Sequence, residues 1–137
     1  MIPKSEWRSP CPIACTLDII GDRWTLLVVR DLLFGKRYFD EFLASPEGIA
    51  TNILSARLAG LTRLKLVRRV PAEHDKRRAA YELTEKGQTL KQVLRETARW
   101  GMEHFHGQTG PLNPAAIRRA TESAAVGLVK RKVKRPA

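Results

Sequence analysis

A chain of 137 residues has room for one hydrophobic core and not for two. Apolar residues make up 43% and charged residues 28%, so most of the chain is expected to fold. Its 25 Lys and Arg against 14 Asp and Glu give a formal charge of +11, which makes a polyanion, nucleic acid or an anionic membrane surface, the first partner class to consider.

In chain order, residues 1–10 hold Pro3 and Pro10 and little pattern, and are expected to be a flexible arm. Pro12 suits the first turn of a helix, where its missing N–H costs nothing. Ile13, Leu17 and Ile20 then give one apolar stripe, which Gly21 ends. Asp22 is a good N-cap for a second helix, with Trp24, Leu27, Val28, Leu32 and Leu33 as its buried face and Gly35 as its stop. A short third helix over 39–44 turns Phe39, Phe42 and Leu43 inward, and Ser45-Pro46-Glu47-Gly48 is a tight turn.

After that turn, Leu54, Leu58 and Leu61 recur at helical spacing. Asn52, Ser55, Ala56, Ala59 and Arg63 fall on the opposite side. A plain surface helix would carry Glu and Lys there; small side chains instead let the helix axis approach something closely. A short helix, a turn and such a helix make a helix-turn-helix, whose second helix enters the major groove of DNA. On this segment alone, a core helix with a small-residue packing face is the alternative.

Leu66–Val70 and Ala79–Leu83 read as paired strands, and the segment 71–78 between them is too polar for a core. Lys65, Arg68, Arg69, Lys76, Arg77 and Arg78 face only Glu73 and Asp75, so this hairpin with a basic tip reads as a wing. Thr84 is expected to cap one long helix to about residue 106, roughly 34 Å in length. Trp100 and Phe105 near its end suit burial against another subunit; packing against the first helix is the alternative. Residues 107–137 carry seven basic side chains and one acidic, a basic extension with a further helix expected over 115–126.

The inventory of reactive groups is short. No apolar run approaches a membrane span, and no apolar stretch of a secretory signal opens the chain, so a cytoplasmic location is expected. Cys11 and Cys15 are four apart, which is neither CxxC nor a disulfide framework, and His74, His104 and His106 make no zinc-site spacing with them. Nothing reads as a catalytic constellation, P-loop or GxGxxG, so neither enzyme activity nor a metal or cofactor is expected. A small thiol enzyme would need a base near Cys11, and an RNA binder would need exposed aromatics on a sheet, where Tyr81 offers little.

The residues also form a recognisable pattern. Cys11-Pro12-Ile13, Ile20-Gly21-Asp22-Arg23-Trp24-Thr25, Gly35-Lys36-Arg37-Tyr38-Phe39-Asp40-Glu41-Phe42, Gly48-Ile49, Leu54-Ser55-Ala56-Arg57-Leu58 and Tyr81-Glu82-Leu83-Thr84-Glu85-Lys86-Gly87 occur in that order. Together they resemble the HxlR-type family of winged helix-turn-helix transcription regulators over residues 11–106. The resemblance implies a mainly α fold with a small β-hairpin and a long C-terminal dimerisation helix. It also implies homodimers, palindromic operators on double-stranded DNA, repression in several members, and in some a cysteine at the position of Cys11 that senses oxidants or electrophiles. Two departures stand out: Ala50 where the family often has Ser at the start of the recognition helix, so that Thr51 is expected to cap it, and Lys65 where a Gly commonly closes it.

Roles follow residue by residue. Asn52 and Ser55 are base-reading candidates, because both donate and accept at short range. Thr51 and Arg63 are expected at the DNA backbone, as are Lys36 and Arg37 ahead of the third helix, and Lys76, Arg77 and Arg78 on the wing. Arg57 either reaches DNA or braces the turn through an acid such as Glu41. A helix N-terminus, with Arg8 or Lys4 nearby, would lower the pKa of Cys11 and favour thiolate, which makes it the redox-sensing candidate; an inert packed thiol is the alternative. Cys15 reads as core. A ligand-responsive regulator without cysteine sensing, in which Trp24, Trp100 and Phe105 line a pocket, and a protein-interaction module on the same fold are the competing functions.

Overall fold

The computed structural model describes residues 7–105. The elements run α1 (Pro12–Ile20), α2 (Thr25–Leu33), α3 (Phe39–Leu43), α4 (Thr51–Arg63), β1 (Val67–Pro71), β2 (Ala79–Leu83), α5 (Glu85–Gln88) and α6 (Leu90–Phe105). The two strands are antiparallel, with Val67 opposite Leu83 and Pro71 opposite Ala79. This is the expected winged helix-turn-helix, mainly helical with one hairpin. Residues 1–6 of the expected flexible arm over 1–10, and the whole expected extension over 107–137 with its further helix, lie outside the described residues.

One core joins the elements. Val28, Val29, Leu32 and Leu33 of α2 meet Phe42 of α3, Leu54, Leu58 and Leu61 of α4, and Leu66, Val67 and Leu83 of the wing base. Full burial of each leucine contributes about 1.5–3 kcal/mol. Trp24 and Leu27, expected inside, are half-buried at the edge, whereas Thr25 is buried because its hydroxyl finds Asp22. Asp22 is not itself the N-cap residue as expected, a place taken by Trp24; from two positions earlier its Oδ1 still caps the start of α2, accepting the peptide N–H of Trp24 at 2.9 Å and of Thr25 at 3.0 Å.

The apolar stripe of α1 stays outside. Only Ile20 is buried; Ile13 is 71% exposed and Leu17 53%. The expected long C-terminal helix is two helices, α5 and α6. Thr84 caps the first by accepting the N–H of Gly87 at 3.0 Å, and the N–H of Thr89 closes back on Lys86 O at 3.2 Å, a tighter turn that ends the run. Gly87, inside α5, lets that helix lie close against the wing base: a Cβ there would lie 1.9 Å from the carbonyl oxygen of Leu66. Helix α5 is thereby bonded to the wing, while α6 spans about 24 Å and has no fully buried residue.

Helix α4 ends in a Schellman motif. Leu66 N–H bonds Leu61 O and Lys65 N–H bonds Thr62 O, both at 3.0 Å, which puts Lys65 at φ +59°, the position where glycine is favoured. The Thr84 hydroxyl donates to Lys65 O at 2.6 Å, fixing this unusual turn to the end of β2.

Candidate nucleic-acid interface

Helix α4 has the two faces its sequence implies. Leu54, Leu58 and Leu61 are no more than 2% exposed. Thr51, Asn52, Ser55, Ala56, Ala59 and Arg63 are all exposed. Ser and Ala keep that face low, and Asn52 and Ser55 place donors and acceptors on it, which is what an edge-reading helix needs. Thr51 does not cap: Ala50 occupies the N-cap without a side-chain bond, and Thr51 is the first helical residue. The first peptide N–H groups of α4 therefore receive no side-chain cap, the arrangement that suits a phosphate oxygen.

The turn in front of α4 is held by a buried carboxylate. Asp31, 4% exposed, accepts the Ser45 hydroxyl and the Arg30 guanidinium at 2.9 Å. Lys36 Nζ donates to the Ser45 oxygen at 2.6 Å and lies 3.7 Å from Asp31. Arg30 also bonds Glu47, and that bond holds the Glu47 carboxyl below its ordinary pKa, outweighing burial. Gly48, at φ +70°, then turns the chain into α4.

Four of the expected DNA contacts are engaged within the chain, three of them around the helix-turn-helix and the fourth, Arg78, on the wing. Lys36 is in the network just described. Arg37 faces Glu82 of β2 at 3.4 Å, and its Nε is buried without a partner among the described residues. Arg57 donates Nε to Asp22 Oδ1 at 3.0 Å. It braces, as one of its two expected uses had it, but through Asp22 and not Glu41. Glu41 is already occupied, accepting the peptide N–H of Arg37 at 3.1 Å and of Tyr38 at 2.9 Å to cap α3. Burial pushes the Asp22 pKa up, but bonds from Thr25 and Trp24 and the charge of Arg57 more than offset it, and the net shift is downward.

The wing keeps its charge outside. Lys76, Arg77 and Arg78 are exposed, and with Arg69 they line an open cleft of about 240 Å³. Arg69 was not singled out from the sequence. The signal was its place in the strand, opposite Tyr81 across the hairpin. Arg78 bonds Asp40 of α3 and lies over the Tyr38 ring at 4.1 Å, so the wing tip is tied to the first helix of the helix-turn-helix. The loop closes through Ala72 N–H to Arg78 O at 2.9 Å. Arg77 keeps its side chain free of ion pairs among the described residues and uses only its peptide N–H, on Asp75 at 3.0 Å.

Cys11 stands exposed at the N-cap of α1. The peptide N–H groups of Ala14 and Ile13 at the start of the helix lower its thiol pKa, as the helix N-terminus leads one to expect. Arg8 plays no part, because it is paired with Asp18 at 2.6 Å; Lys4 lies outside the described residues. Cys15 is half-buried rather than core, and its thiol donates to Ser9 O at 3.2 Å. Among the described residues no group of three potential metal ligands converges, and no helix is long and apolar enough to cross a membrane.

Comparison with known proteins sets this geometry in context. The model of the HxlR-like helix-turn-helix family matches residues 19–109. An uncharacterized HTH-type transcriptional regulator of Mycobacterium tuberculosis is 40% identical over 105 residues, 77% of this chain and 65% of that protein, so the chain matches just under two thirds of this relative's length. The crystal structure of PA1607, a candidate transcription factor, aligns over 80% of this chain and 75% of its own with 38% identity and a TM-score of 0.70. The redox regulator HypR in its oxidized form aligns over 69% of this chain and 97% of its own, at 30% identity and a TM-score of 0.62.

Proposed function

This chain belongs to the HxlR-like helix-turn-helix family of transcriptional regulators, not enzymes, and on that premise we propose that it is a homodimeric repressor that binds a palindromic operator through α4. One observation carries the reading of α4: a helix anchored by three buried leucines leaves Thr51, Asn52, Ser55 and Ala59 in the open. Asn52 and Ser55 read base edges, Thr51 and Arg63 meet phosphates, and Lys76, Arg77 and Arg78 hold the neighbouring backbone from the wing. Lys36, Arg37 and Arg57 brace the motif from behind. The exposed Ile13 and Leu17 of α1 and Trp100 and Phe105 of α6 are the faces that pair in the dimer. Its two recognition helices then lie about 34 Å apart, one turn of DNA.

Cys11 tunes this binding by oxidation or alkylation. Its exposure, its lowered pKa and the likeness to the redox regulator HypR support the reading. The test is selection of bound DNA from a random pool, followed by titration of Asn52→Ala on the selected and on scrambled duplexes. A drop of about 1–3 kcal/mol confined to the selected duplex is expected. Equal affinity of wild type for both duplexes, or no effect of Asn52→Ala on their ratio, removes the assignment.

A further inference from the structure

The first turn of α1 holds both cysteines of the chain. Cys15 N–H donates to Cys11 O at 3.0 Å, the first bond of the helix. Their α-carbons are therefore one turn apart, about 6 Å by helical rise, inside the roughly 4.4–6.8 Å that a disulfide spans. Ser9 touches both residues. Its hydroxyl accepts the Cys11 N–H at 3.0 Å, and its carbonyl accepts the Cys15 thiol at 3.2 Å. The Cys15 thiol thus points back along the helix, towards the end where Cys11 stands, and not into the core.

We propose that Cys11 and Cys15 form a reversible disulfide within one chain, with Cys15 as the resolving thiol for an oxidised Cys11. This rests on the reading of Cys11 as the reactive thiol, and it adds a second modification site. The co-reactant is a hydroperoxide. The Cys11 thiolate attacks its outer oxygen: an S–O bond forms, the O–O bond breaks, and the departing oxygen takes a proton. The Cys15 thiol then attacks Cys11 Sγ: the S–S bond forms, the S–O bond breaks, and the hydroxide leaves as water with the Cys15 proton. Two thiols lose two electrons and two hydrogens in all, and the hydroperoxide is reduced to an alcohol and water. Closing the bond gives up the present geometry of the first turn, which sits directly beside the exposed Ile13.

The experiment treats the full chain with hydrogen peroxide, then reads intact mass without reductant and free thiols by iodoacetamide. A single-chain species lighter by about 2 Da, with neither thiol alkylatable and both restored by dithiothreitol, is expected. Cys15→Ser is expected to stop at Cys11 as a sulfenic or sulfinic acid, heavier by about 16 or 32 Da, and Cys15→Ala serves if serine disturbs the turn. Cys11→Ser is expected to leave Cys15 reduced. A disulfide between two chains on a non-reducing gel, or a Cys15 that still alkylates once Cys11 is oxidised, overturns the pairing and leaves Cys11 as the reactive thiol. A Cys11 that peroxide does not modify overturns both.

Discussion

Arg57 and Asp22 are 35 positions apart in the chain and meet at 3.0 Å. The bond joins the middle of the recognition helix to the junction between α1 and α2. Asp22 also caps α2, so one carboxylate sets the start of one helix and steadies another.

Asp22→Ala is accordingly expected to cost about 1–2 kcal/mol by urea denaturation, in the range of a lost cap. Arg57→Ala should cost less, about 0.5–1 kcal/mol, because its pair is partly solvated. The folded pKa values of Asp22 and Glu47 are both depressed, so their contribution is complete above the unfolded values of about 3.9 and 4.3. It is lost as pH falls through the lower folded values. The urea midpoint should drop between pH 6 and pH 3, and should drop less in Asp22→Asn with Glu47→Gln.

The paired and free cations should separate in salt titrations. Arg77→Ala and Lys76→Ala are expected to weaken binding to any duplex and to flatten the slope of log K against log salt by about 0.9 per lost phosphate contact. Lys36→Ala and Arg37→Ala should lower stability and leave that slope unchanged. A slope that changes in Lys36→Ala and not in Arg77→Ala would reverse the assignment.

The aromatic end of α6 makes a prediction about assembly. Trp100, 58% exposed, packs among the described residues on the rings of His104 and Phe105 of its own helix, with ring centroids 4.9 and 5.4 Å away. Trp100→Glu is expected to shift sedimentation equilibrium from dimer to monomer while helical circular dichroism is retained. A dimer unaffected by Trp100→Glu and by Leu17→Glu would place the subunit contact elsewhere.

Two backbone positions should respond in opposite directions. Lys65 sits at φ +59°, so Lys65→Gly is expected to raise stability by about 0.5–1 kcal/mol. Gly87→Ala drives a methyl into the Leu66 carbonyl and should cost at least about 2 kcal/mol. Thermal melts of both variants check this.

Much of this architecture is legible in the chain. The spacing of Leu54, Leu58 and Leu61 locates α4 and its buried face, because burial on one side leaves a periodic trace. The same logic finds the stripe of Ile13 and Leu17 but not its exposure: apolar periodicity marks a face that prefers to leave water and does not say whether the surface that covers it belongs to the same chain. The split between α5 and α6 escapes because it is a single tightened turn at Thr89, while the local pattern from Thr84 onwards is helical throughout. Ion-pair partners are the least legible. Arg57 had several acids within plausible reach, and only the fold shows that Asp22, which also accepts the peptide N–H groups of Trp24 and Thr25, stands within 3.0 Å of its guanidinium while Glu41 turns to Arg37 and Tyr38.

The break at Thr89 gives α6 the character of a lever. Leu90 and Leu94 rest on the core at its near end, while its far end carries Trp100 and Phe105 into solvent. A swing of only about 5° at the pivot would carry a tip some 22 Å away through about 2 Å. In a pair of such chains joined through those far ends, that motion would alter the distance between their two reading heads.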